Sequence, residues 1–410
     1  MRDASSPLFL LGCYAFVSLG VSAALLGPAL PTLAAKANVG LDRIGLIFAW
    51  MSLGYLTSAP IINTIGARLG TRGMLVVSPL IVISSMVLLA LGARLAILFA
   101  GGYLLGLGQS GTQVAYNAMF GAQQDRERAS AVLNRLNAFF GVGALIGPLL
   151  VSASYAAIGE GTLAFWVAAA MALPLTLGAL LTRNGWPPSS AQLSPGRDAG
   201  AARRLLASPA AWVLCLVMAL YVGCEVAFSG WATEFTSRTT GVGTAQAAVT
   251  VSIFWAALAI SRYFVNAVVG RLSSAVLVVW LFGVAIAGLS VMIGMGWMSG
   301  AAWLGAGLVG IGFGPIYPTL IAIGIQRFPF AVRMIASALT SAGAAGALLV
   351  PALTGVVMDA TAAGASGAWL MLTGLLVVIV IIWQASRRSL AGLPAPTQAS
   401  VTLISRGPDR

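Results

Sequence analysis

The sequence contains no histidine, three cysteines and only ten acidic residues among 410. Without histidine the chain can form neither a Ser-His-Asp triad nor a histidine-ligated zinc site. Cys13, Cys215 and Cys224 lack the spacing of metal ligands and lie in apolar segments, so we interpret them as small core residues and expect no metal. Because no segment resembles a phosphate-binding P-loop, we expect neither ATP as the energy source nor a cofactor. These absences argue against an enzyme.

Charge of both signs is also scarce. Charged residues make up 8% of the sequence and hydrophobic residues 59%, with a mean hydropathy of +0.96. A soluble domain carries about 25% charged residues, so this composition indicates an integral membrane protein. The net charge of +12 does not indicate nucleic-acid binding, because the basic residues lie in short loops between apolar runs, where they set membrane orientation.

The apolar part of the sequence divides into roughly twelve runs, each of about 20 residues and therefore long enough to cross a membrane core of about 30 Å. The least distinct boundaries lie at Arg94 and at Ser299-Gly300. We therefore predict an all-α membrane protein with twelve transmembrane helices. The predicted spans are 8–33, 44–66, 74–93, 96–120, 135–157, 163–182, 210–233, 246–269, 275–297, 301–325, 336–357 and 366–386.

The loops between these spans predict the orientation. An even number of spans places both termini on one side. With the termini inside, the cytoplasmic loops carry 17 basic and five acidic side chains, a difference equal to the whole net charge. Because basic residues concentrate in cytoplasmic loops, we predict a multi-pass protein of the bacterial inner membrane with both termini in the cytoplasm.

The longest interruption between apolar runs is 183–204, which is rich in Pro, Ser, Gly and Ala. We interpret it as a disordered cytoplasmic linker. It would separate an N-terminal six-helix half (1–182) from a C-terminal six-helix half (205–388), followed by a cytoplasmic tail (389–410).

The two halves resemble each other at an offset of about 204 residues. Gly106-Leu107-Gly108 matches Gly310-Ile311-Gly312, and the segment 143–148 matches 346–351. A third match relates the ends of the second and eighth spans. Two pseudo-symmetric six-helix bundles are typical of secondary transporters, in which the substrate site lies between the halves near the membrane midplane.

Two motifs extend this interpretation to a family. Gly66-Ala-Arg-Leu-Gly-Thr-Arg72 resembles the Gly-x-x-x-Asp-Arg-x-Gly-Arg loop of the major facilitator superfamily, without its aspartate. Gly141-x-Gly-x-x-x-Gly-Pro148 is similar to the antiporter motif of that superfamily, without the glycines that follow the proline. The resemblance implies the major facilitator fold and assigns Arg68, Arg72 and Arg271 to gating loops.

A narrower resemblance concerns the seventh span. Tyr221-Val-Gly-Cys-Glu225, followed by Trp231, resembles the seventh helix of the fucose–galactose–hexose proton symporters and their glucose-transporter relatives. Asn117, Phe254-Trp255 and Tyr317-Pro-Thr319 match the same group. This resemblance implies sugar transport. The first span lacks the aspartate of fucose-type symporters, so it does not imply their pattern of proton coupling.

Glu225 is the one acidic residue inside a predicted span. A charge at the membrane centre costs at least about 2.5–3.5 kcal/mol, which makes such a residue a candidate for function. Tyr221 and Ser229 lie four residues to either side and share its helix face. Glu225 could bind solute hydroxyl groups, change protonation during transport, or pair with Arg262, the one basic residue inside a span. Arg262 could instead extend toward the cytoplasm.

The fourth span carries a polar stripe formed by Gln109, Gln113 and Asn117, each four residues from the next. Amides both donate and accept hydrogen bonds, which suits a hydroxyl-rich solute. The alternative is that the stripe holds neighbouring helices together. Asn137, near the start of the fifth span, could line the solute path or cap its helix.

Three aromatic residues near the polar positions allow two interpretations. Trp231, Trp255 and Tyr317 could stack on a sugar ring. Trp231 lies nearer a helix end, where aromatic residues anchor helices at the membrane surface, and we favour that role for it.

Together these features predict a secondary active transporter that moves a small neutral solute, a monosaccharide in the best-supported case, by alternating access. The alternative is an efflux antiporter for amphiphilic compounds. We expect a monomer whose partners are the solute, the bilayer and, if Glu225 changes protonation, protons coupled through Glu225 and Arg262. The predicted substrate-binding residues are Glu225, Gln113, Asn117, Gln109, Tyr221, Asn137, Trp255 and Tyr317.

Overall fold

The computed structural model describes residues 7–121, 126–181, 199–269, 274–360 and 364–390. These residues form fifteen α-helices, one 3₁₀ turn and short connections, as the all-α prediction requires. The first seven helices are α1 (Pro7–Ala24), α2 (Leu30–Ala37), α3 (Leu41–Ile44), α4 (Ile47–Leu91), α5 (Leu95–Gly121), α6 (Arg126–Ile158) and α7 (Thr162–Leu181). The others are α8 (Ala199–Leu206), α9 (Pro209–Thr240), α10 (Thr244–Val269), α11 (Ser274–Gly294), α12 (Ser299–Phe313), α13 (Ile316–Arg327), α14 (Val332–Ala360) and α15 (Gly364–Leu390).

The number of membrane-crossing segments is consistent with the predicted twelve. Among the described residues, ten segments are long and apolar enough to span a membrane. An eleventh is the pair Leu30–Ala37 and Leu41–Ser58, which is bent by 112°, and Leu8–Ala24 is a shorter apolar helix. The boundaries at Arg94 and at Ser299-Gly300 both separate helices.

Several predicted spans are not single straight helices. The first predicted span, 8–33, contains nearly all of α1, a turn and the start of α2. The turn includes Gly27-Pro28, and proline disfavours a continuous helix because it lacks an amide hydrogen. The second and third predicted spans are two helical segments that adjoin without a loop, so that α4 runs from residue 47 to 91 with a break at Gly70. Gly70 has φ 65° and ψ 179°, a conformation that a side chain would disfavour.

The last part of the predicted linker is helical and not disordered. Residues 182–198 lie outside the described residues, but the last six residues of the linker, 199–204, belong to α8. The sequence AGAARRLL contains no proline, and its alanine, arginine and leucine residues favour a helix. In the predicted tail, residues 391–410 lie outside the described part of the chain, whereas α15 continues to residue 390. The division of the chain into halves at this linker stays a prediction.

Helix packing follows the internal duplication. We call α1–α7 the first helix set and α9–α15 the second. Within the first set, α1 packs against α6 and α7, and α4 packs against α5 and α7. Within the second set, α9 packs against α10, α14 and α15, and α11 packs against α12. The two sets meet where α6 contacts α10 and where α14 contacts α3 and α4. An offset of about 204 residues relates α4 to α10 and α6 to α14. The contact of α6 with α10 therefore corresponds to the contact of α14 with α4.

The matched glycines make equivalent close contacts in the two sets. A Cβ at Gly106 in α5 would lie 1.8 Å from the carbonyl oxygen of Met51 in α4. A Cβ at Gly310 in α12 would lie 2.3 Å from the carbonyl oxygen of Phe254 in α10. Small residues at these positions let the helix backbones touch, as is common in membrane helix pairs.

Candidate functional site

Glu225 lies half-buried on α9, and Tyr221 lies fully buried one helical turn before it. The Tyr221 hydroxyl donates a hydrogen bond to the Glu225 carboxylate. The same hydroxyl lies 3.1 Å from the carbonyl oxygen of Phe313 at the end of α12. The helical spacing that predicted a shared face for Tyr221 and Glu225 therefore corresponds to a direct contact.

The Phe313 carbonyl belongs to a break in the tenth predicted span, where α12 ends at Phe313 and α13 begins at Ile316. Pro318 has no amide hydrogen with which to satisfy the Gly314 carbonyl four residues earlier. That carbonyl instead accepts a hydrogen bond from Arg262 Nε of α10 at 2.7 Å. Two consecutive carbonyl groups thus lie within hydrogen-bond distance of side-chain donors from two other helices.

Arg262 and Glu225 do not form a direct ion pair. The ion pairs within 4.0 Å that the described residues contain involve Arg238 instead. The two side chains nevertheless reach the same helix break: Arg262 bonds to the Gly314 carbonyl, and Tyr221, the partner of Glu225, lies against the adjacent Phe313 carbonyl. Glu225 and Arg262 therefore lie around the same helix break without the direct ion pair that the sequence analysis considered.

Polar side chains of the first helix set face this region. The Tyr55 hydroxyl of α4 donates a hydrogen bond to Gln113 Oε1 of α5. Tyr317 of α13 lies near both Tyr55 and Tyr221. The Tyr317 hydroxyl is 3.2 Å from Thr340 Oγ1 of α14. The following side chains therefore form one group, which we name the polar cluster: Tyr55, Gln113, Tyr221, Glu225, Arg262, Tyr317 and Thr340.

The other two members of the polar stripe on α5 have different surroundings. Gln109 is 8% exposed, and its Nε2 donates a hydrogen bond to Ser22 Oγ of α1 at 3.0 Å. This contact matches the alternative in which the stripe holds helices together. Asn117 is half-buried, and its Oδ1 is buried without a hydrogen-bond partner among the described residues. Asn137 is exposed in the first part of α6.

Trp255 has two aromatic neighbours and a ring nitrogen that could donate a hydrogen bond to a solute. Its ring packs at 76° to that of Phe140 in α6 and at 68° to that of Phe254. Trp255 Nε1 is buried and has no hydrogen-bond partner in the part of the chain that the structure describes. Because Phe140 belongs to the first helix set and Phe254 to the second, Trp255 is held between the two sets, and its ring nitrogen remains available as a donor.

The assignment of Trp231 to the membrane surface is wrong. Trp231 is fully buried, and its Nε1 donates a hydrogen bond to the Pro351 carbonyl oxygen of α14 at 2.8 Å. A Cβ at Gly45, which follows α3, or at Gly355 in α14 would come within 2.5 Å of its ring. Position near a helix end suggested a surface anchor, but two glycines leave room for the indole between the helix sets.

Arg72 is the one predicted gating residue whose side chain the structure describes. Its Nε donates a hydrogen bond to the Ala179 carbonyl oxygen at 3.0 Å, and its Nη2 donates one to the Leu180 carbonyl oxygen at 2.7 Å. It therefore caps the C-terminal end of α7, within its own helix set. The Arg68 side chain and all of Arg271 lie outside the described residues.

A second polar group, which the sequence analysis missed, joins the helix sets at one end of the bundle. Arg238 at the end of α9 pairs with Glu234 at 2.6 Å and with Asp359 of α14 at 2.9 Å. Asp359 Oδ2 also accepts a hydrogen bond from the Asp42 backbone amide of α3 at 3.0 Å. We name this group the Asp359 latch: Asp42, Glu234, Arg238 and Asp359. The four-residue spacing of Glu234 and Arg238 was the available signal.

The arrangement can hold a polar solute by hydrogen bonds and has no features of a metal centre. The polar cluster offers hydroxyl donors, an amide, a carboxylate and a guanidinium at the meeting of the two helix sets. Across the described ranges, no three residues of the His, Cys, Asp and Glu types lie close enough together to hold a metal ion.

Comparison with known proteins identifies the family. Residues 10–351 match the model of the Major Facilitator Superfamily. The chain belongs to the major facilitator superfamily. It is therefore a multi-pass membrane transporter and not an enzyme. It is also similar to an uncharacterised MFS-type transporter of Yersinia pestis, with 24% identity over 354 residues that cover 84% of this chain and 87% of the relative.

Solved structures of transporters share the fold at low identity. The nucleoside transporter NupG matches with a TM-score of 0.76 and 14% identity, covering 92% of this chain and 99% of NupG. A bacterial homologue of the human lysosomal transporter Spinster, inward-facing and occupied, matches at 0.73 and 15%, covering 95% and 97%. The transporter FucP in its outward conformation matches at 0.61 and 18%, covering 92% and 97%.

Proposed function

We propose that this transporter carries a small, uncharged, hydroxyl-rich solute, such as a monosaccharide, by alternating access. The observation that supports this proposal best is the polar cluster, because it combines side chains of both helix sets: Tyr55 and Gln113 from the first, and Tyr317 and Thr340 from the second. A site shared by two halves is exposed to opposite sides of the membrane as the halves rock.

The chemistry of the cluster favours a neutral solute with several hydroxyl groups. Gln113 and the tyrosine hydroxyls both donate and accept hydrogen bonds, and Glu225 accepts strong, charge-assisted bonds. Asn117 Oδ1 and Trp255 Nε1 add a buried acceptor and a buried donor that lack partners among the described residues. Unpaired buried polar atoms cost free energy, which a bound solute would recover. We therefore retain Glu225, Gln113, Asn117, Tyr221, Trp255 and Tyr317 as binding residues.

Coupling to protons is a further part of the proposal. Glu225 is half-buried on a membrane-spanning helix and accepts a hydrogen bond from the Tyr221 hydroxyl. A carboxyl group placed in this way could take up a proton from one side of the membrane and release it to the other. We place the protein in a bacterial inner membrane with both termini in the cytoplasm, as the excess of basic residues in the predicted cytoplasmic loops favours.

A thermal-shift screen of purified protein against monosaccharides, amino acids and amphiphilic drugs tests the substrate class. We expect stabilisation by a monosaccharide, and we expect Gln113→Leu to abolish it. Gln109→Leu is the matched control, because Gln109 lies on the same helix but bonds to Ser22 of α1. Stabilisation by amphiphilic drugs that survives Gln113→Leu would support efflux and contradict the proposal.

Flux into everted vesicles tests proton coupling. We expect transport of the monosaccharide selected by the screen to depend on pH, and we expect Glu225→Gln to lose that dependence. If Glu225→Gln transports with the pH dependence of the natural protein, Glu225 does not carry the coupling. Absence of net flux in sealed vesicles, with binding retained, would indicate a sensor instead.

A further inference from the structure

The break between α12 and α13 depends on side chains of other helices. We propose that Arg262 and Tyr221 are positioning residues that hold this break open, and that Tyr221 links the break to the occupancy of Glu225. The use of the break in transport rests on the proposed function, whereas the hydrogen bonds that hold it do not.

The sequence itself creates the need for these donors. In a continuous helix, the amide of residue 318 would donate to the carbonyl of Gly314, but residue 318 is proline. Pro315 likewise has no amide hydrogen for the carbonyl of Ile311. At membrane depth, a carbonyl freed by proline requires a donor from a side chain or from water in a cavity. Arg262 supplies that donor to Gly314 at 2.7 Å.

Packing holds Arg262 and its acceptor close together. A Cβ at Gly314 would lie 2.1 Å from Ser261 Oγ and 2.4 Å from the Leu258 carbonyl oxygen, so the break presses directly against α10. The Arg262 side chain therefore reaches the carbonyl from the adjacent position of the same helix. A larger residue at 314 would separate the two helices and remove the bond.

Tyr221 connects this break to Glu225 because its hydroxyl has one proton and two acceptors. The Glu225 carboxylate and the Phe313 carbonyl both lie within hydrogen-bond distance of that hydroxyl. The proton can go to only one of them at a time. A solute hydroxyl that takes the place of the Tyr221 hydroxyl on Glu225 would release Tyr221 to donate to Phe313. Binding at the carboxylate would thereby change the support of the break.

Hydrogen–deuterium exchange of purified protein tests the inference without any solute. We expect Arg262→Ala to speed exchange in the peptide covering residues 314–320 by at least about fivefold, because local opening becomes easier. Arg262→Lys keeps a donor and is expected to stay within about twofold of the natural protein. Arg72→Ala is the matched control, since Arg72 also caps carbonyl groups but at the end of α7.

The decisive variant restores the missing amide. Pro318→Ala provides an N–H group for the Gly314 carbonyl, so Arg262→Ala/Pro318→Ala should regain slow exchange. A general structural role for Arg262 would not be rescued in this way. The inference is wrong if Arg262→Ala leaves exchange unchanged, or if Pro318→Ala fails to rescue it.

Tyr221→Phe completes the test of the link to Glu225. We expect it to speed exchange in the same peptide, and we expect the monosaccharide that stabilises the natural protein to slow exchange there but not in Tyr221→Phe. Unchanged exchange in Tyr221→Phe would contradict the link. Because the Arg262 and Pro318 variants are measured without solute, a failed substrate screen would overturn only the proposed function.

Discussion

The indole nitrogen of Trp231 donates a hydrogen bond to the carbonyl oxygen of Pro351 across the contact between α9 and α14. The ring also lies against Gly45, which precedes α4, and makes an edge-type contact with Phe48 at a centroid distance of 6.3 Å. Trp231 thus belongs to the second helix set and packs into the space beside Gly45 of the first set. Together with the Asp359 latch, it closes the helix sets against each other toward one end of the bundle.

Gly27→Ala should open this closure. A Cβ at Gly27 would lie 2.7 Å from three backbone atoms of Ser229 and Gly230 in the other helix set. Because backbone atoms cannot rotate away, we expect the two sets to separate at the latch end. Pulsed electron resonance between spin labels at the exposed positions Arg43 and Gln246 would report a longer distance. The background would have its three cysteines replaced by alanine.

The control for this variant is Gly243→Ala, which lies near the same end and has no atom within 4 Å of the added Cβ. It should leave the label distance unchanged. Equal distances in Gly27→Ala and Gly243→Ala would show that the close backbone contact does not hold the sets together.

Asp359→Asn should weaken the latch more than Glu234→Gln does. Asp359 accepts from both Arg238 and the Asp42 amide, and therefore joins the two helix sets. Glu234 pairs with Arg238 within α9 only. Because the Arg238 side chain is 35% exposed, each pair contributes a few tenths to about 1 kcal/mol.

The same spin-label pair measures the effect of both substitutions. We expect the open population to rise several-fold in Asp359→Asn, and to change little in Glu234→Gln. High salt should reduce the difference, since ions screen partly exposed charges. A larger opening in Glu234→Gln would indicate that the intrahelical pair, and not the bond to α14, orients Arg238.

The sequence predicted the spans and the Tyr221–Glu225 contact because both depend on local patterns. Apolar length identifies a span, and a four-residue spacing places two side chains on one helix face. The breaks were also marked, by Gly27-Pro28 and by Gly314-Pro315. Sequence alone could not show which donor satisfies the freed carbonyl, because Arg262 lies 52 residues from Gly314.

Residues that act through packing between distant helices escaped the sequence analysis. Tyr55 lies in an apolar segment with no pattern that distinguishes it, and only the packing of α4 on α5 brings it to Gln113. Trp231 was assigned to the membrane surface from its position, although two glycines far away in sequence create its buried space. Arg72 is the last residue of a family loop motif, yet its side chain caps a helix of its own set.

Arg72→Ala should lower stability without a specific effect on transport. The substitution removes two hydrogen bonds to carbonyl groups at the C-terminal end of α7, which we expect to cost about 1–3 kcal/mol. A lower melting temperature with normal flux per folded molecule would match this role. Normal stability with strongly reduced flux would instead support the gating role that the loop motif implied.

Trp255→Phe should separate binding from packing. Phenylalanine keeps a ring between Phe140 and Phe254 but removes an Nε1 that is buried and has no partner among the described residues. Removing an unpaired buried donor relieves a desolvation cost, which offsets part of the packing lost with the smaller ring, so we expect the melting temperature without solute to fall less than in Trp231→Phe. The shift produced by a stabilising monosaccharide should fall, because the donor proposed to bind it is gone.

Trp231→Phe is the matched control, because it removes the same atom from an indole that does have a partner, the Pro351 carbonyl. It should lower the melting temperature without solute by an amount corresponding to about 1–3 kcal/mol, and it should leave the shift produced by the monosaccharide intact. If both tryptophan variants lose stability and keep that shift, Trp255 packs the two helix sets together and takes no part in binding the solute.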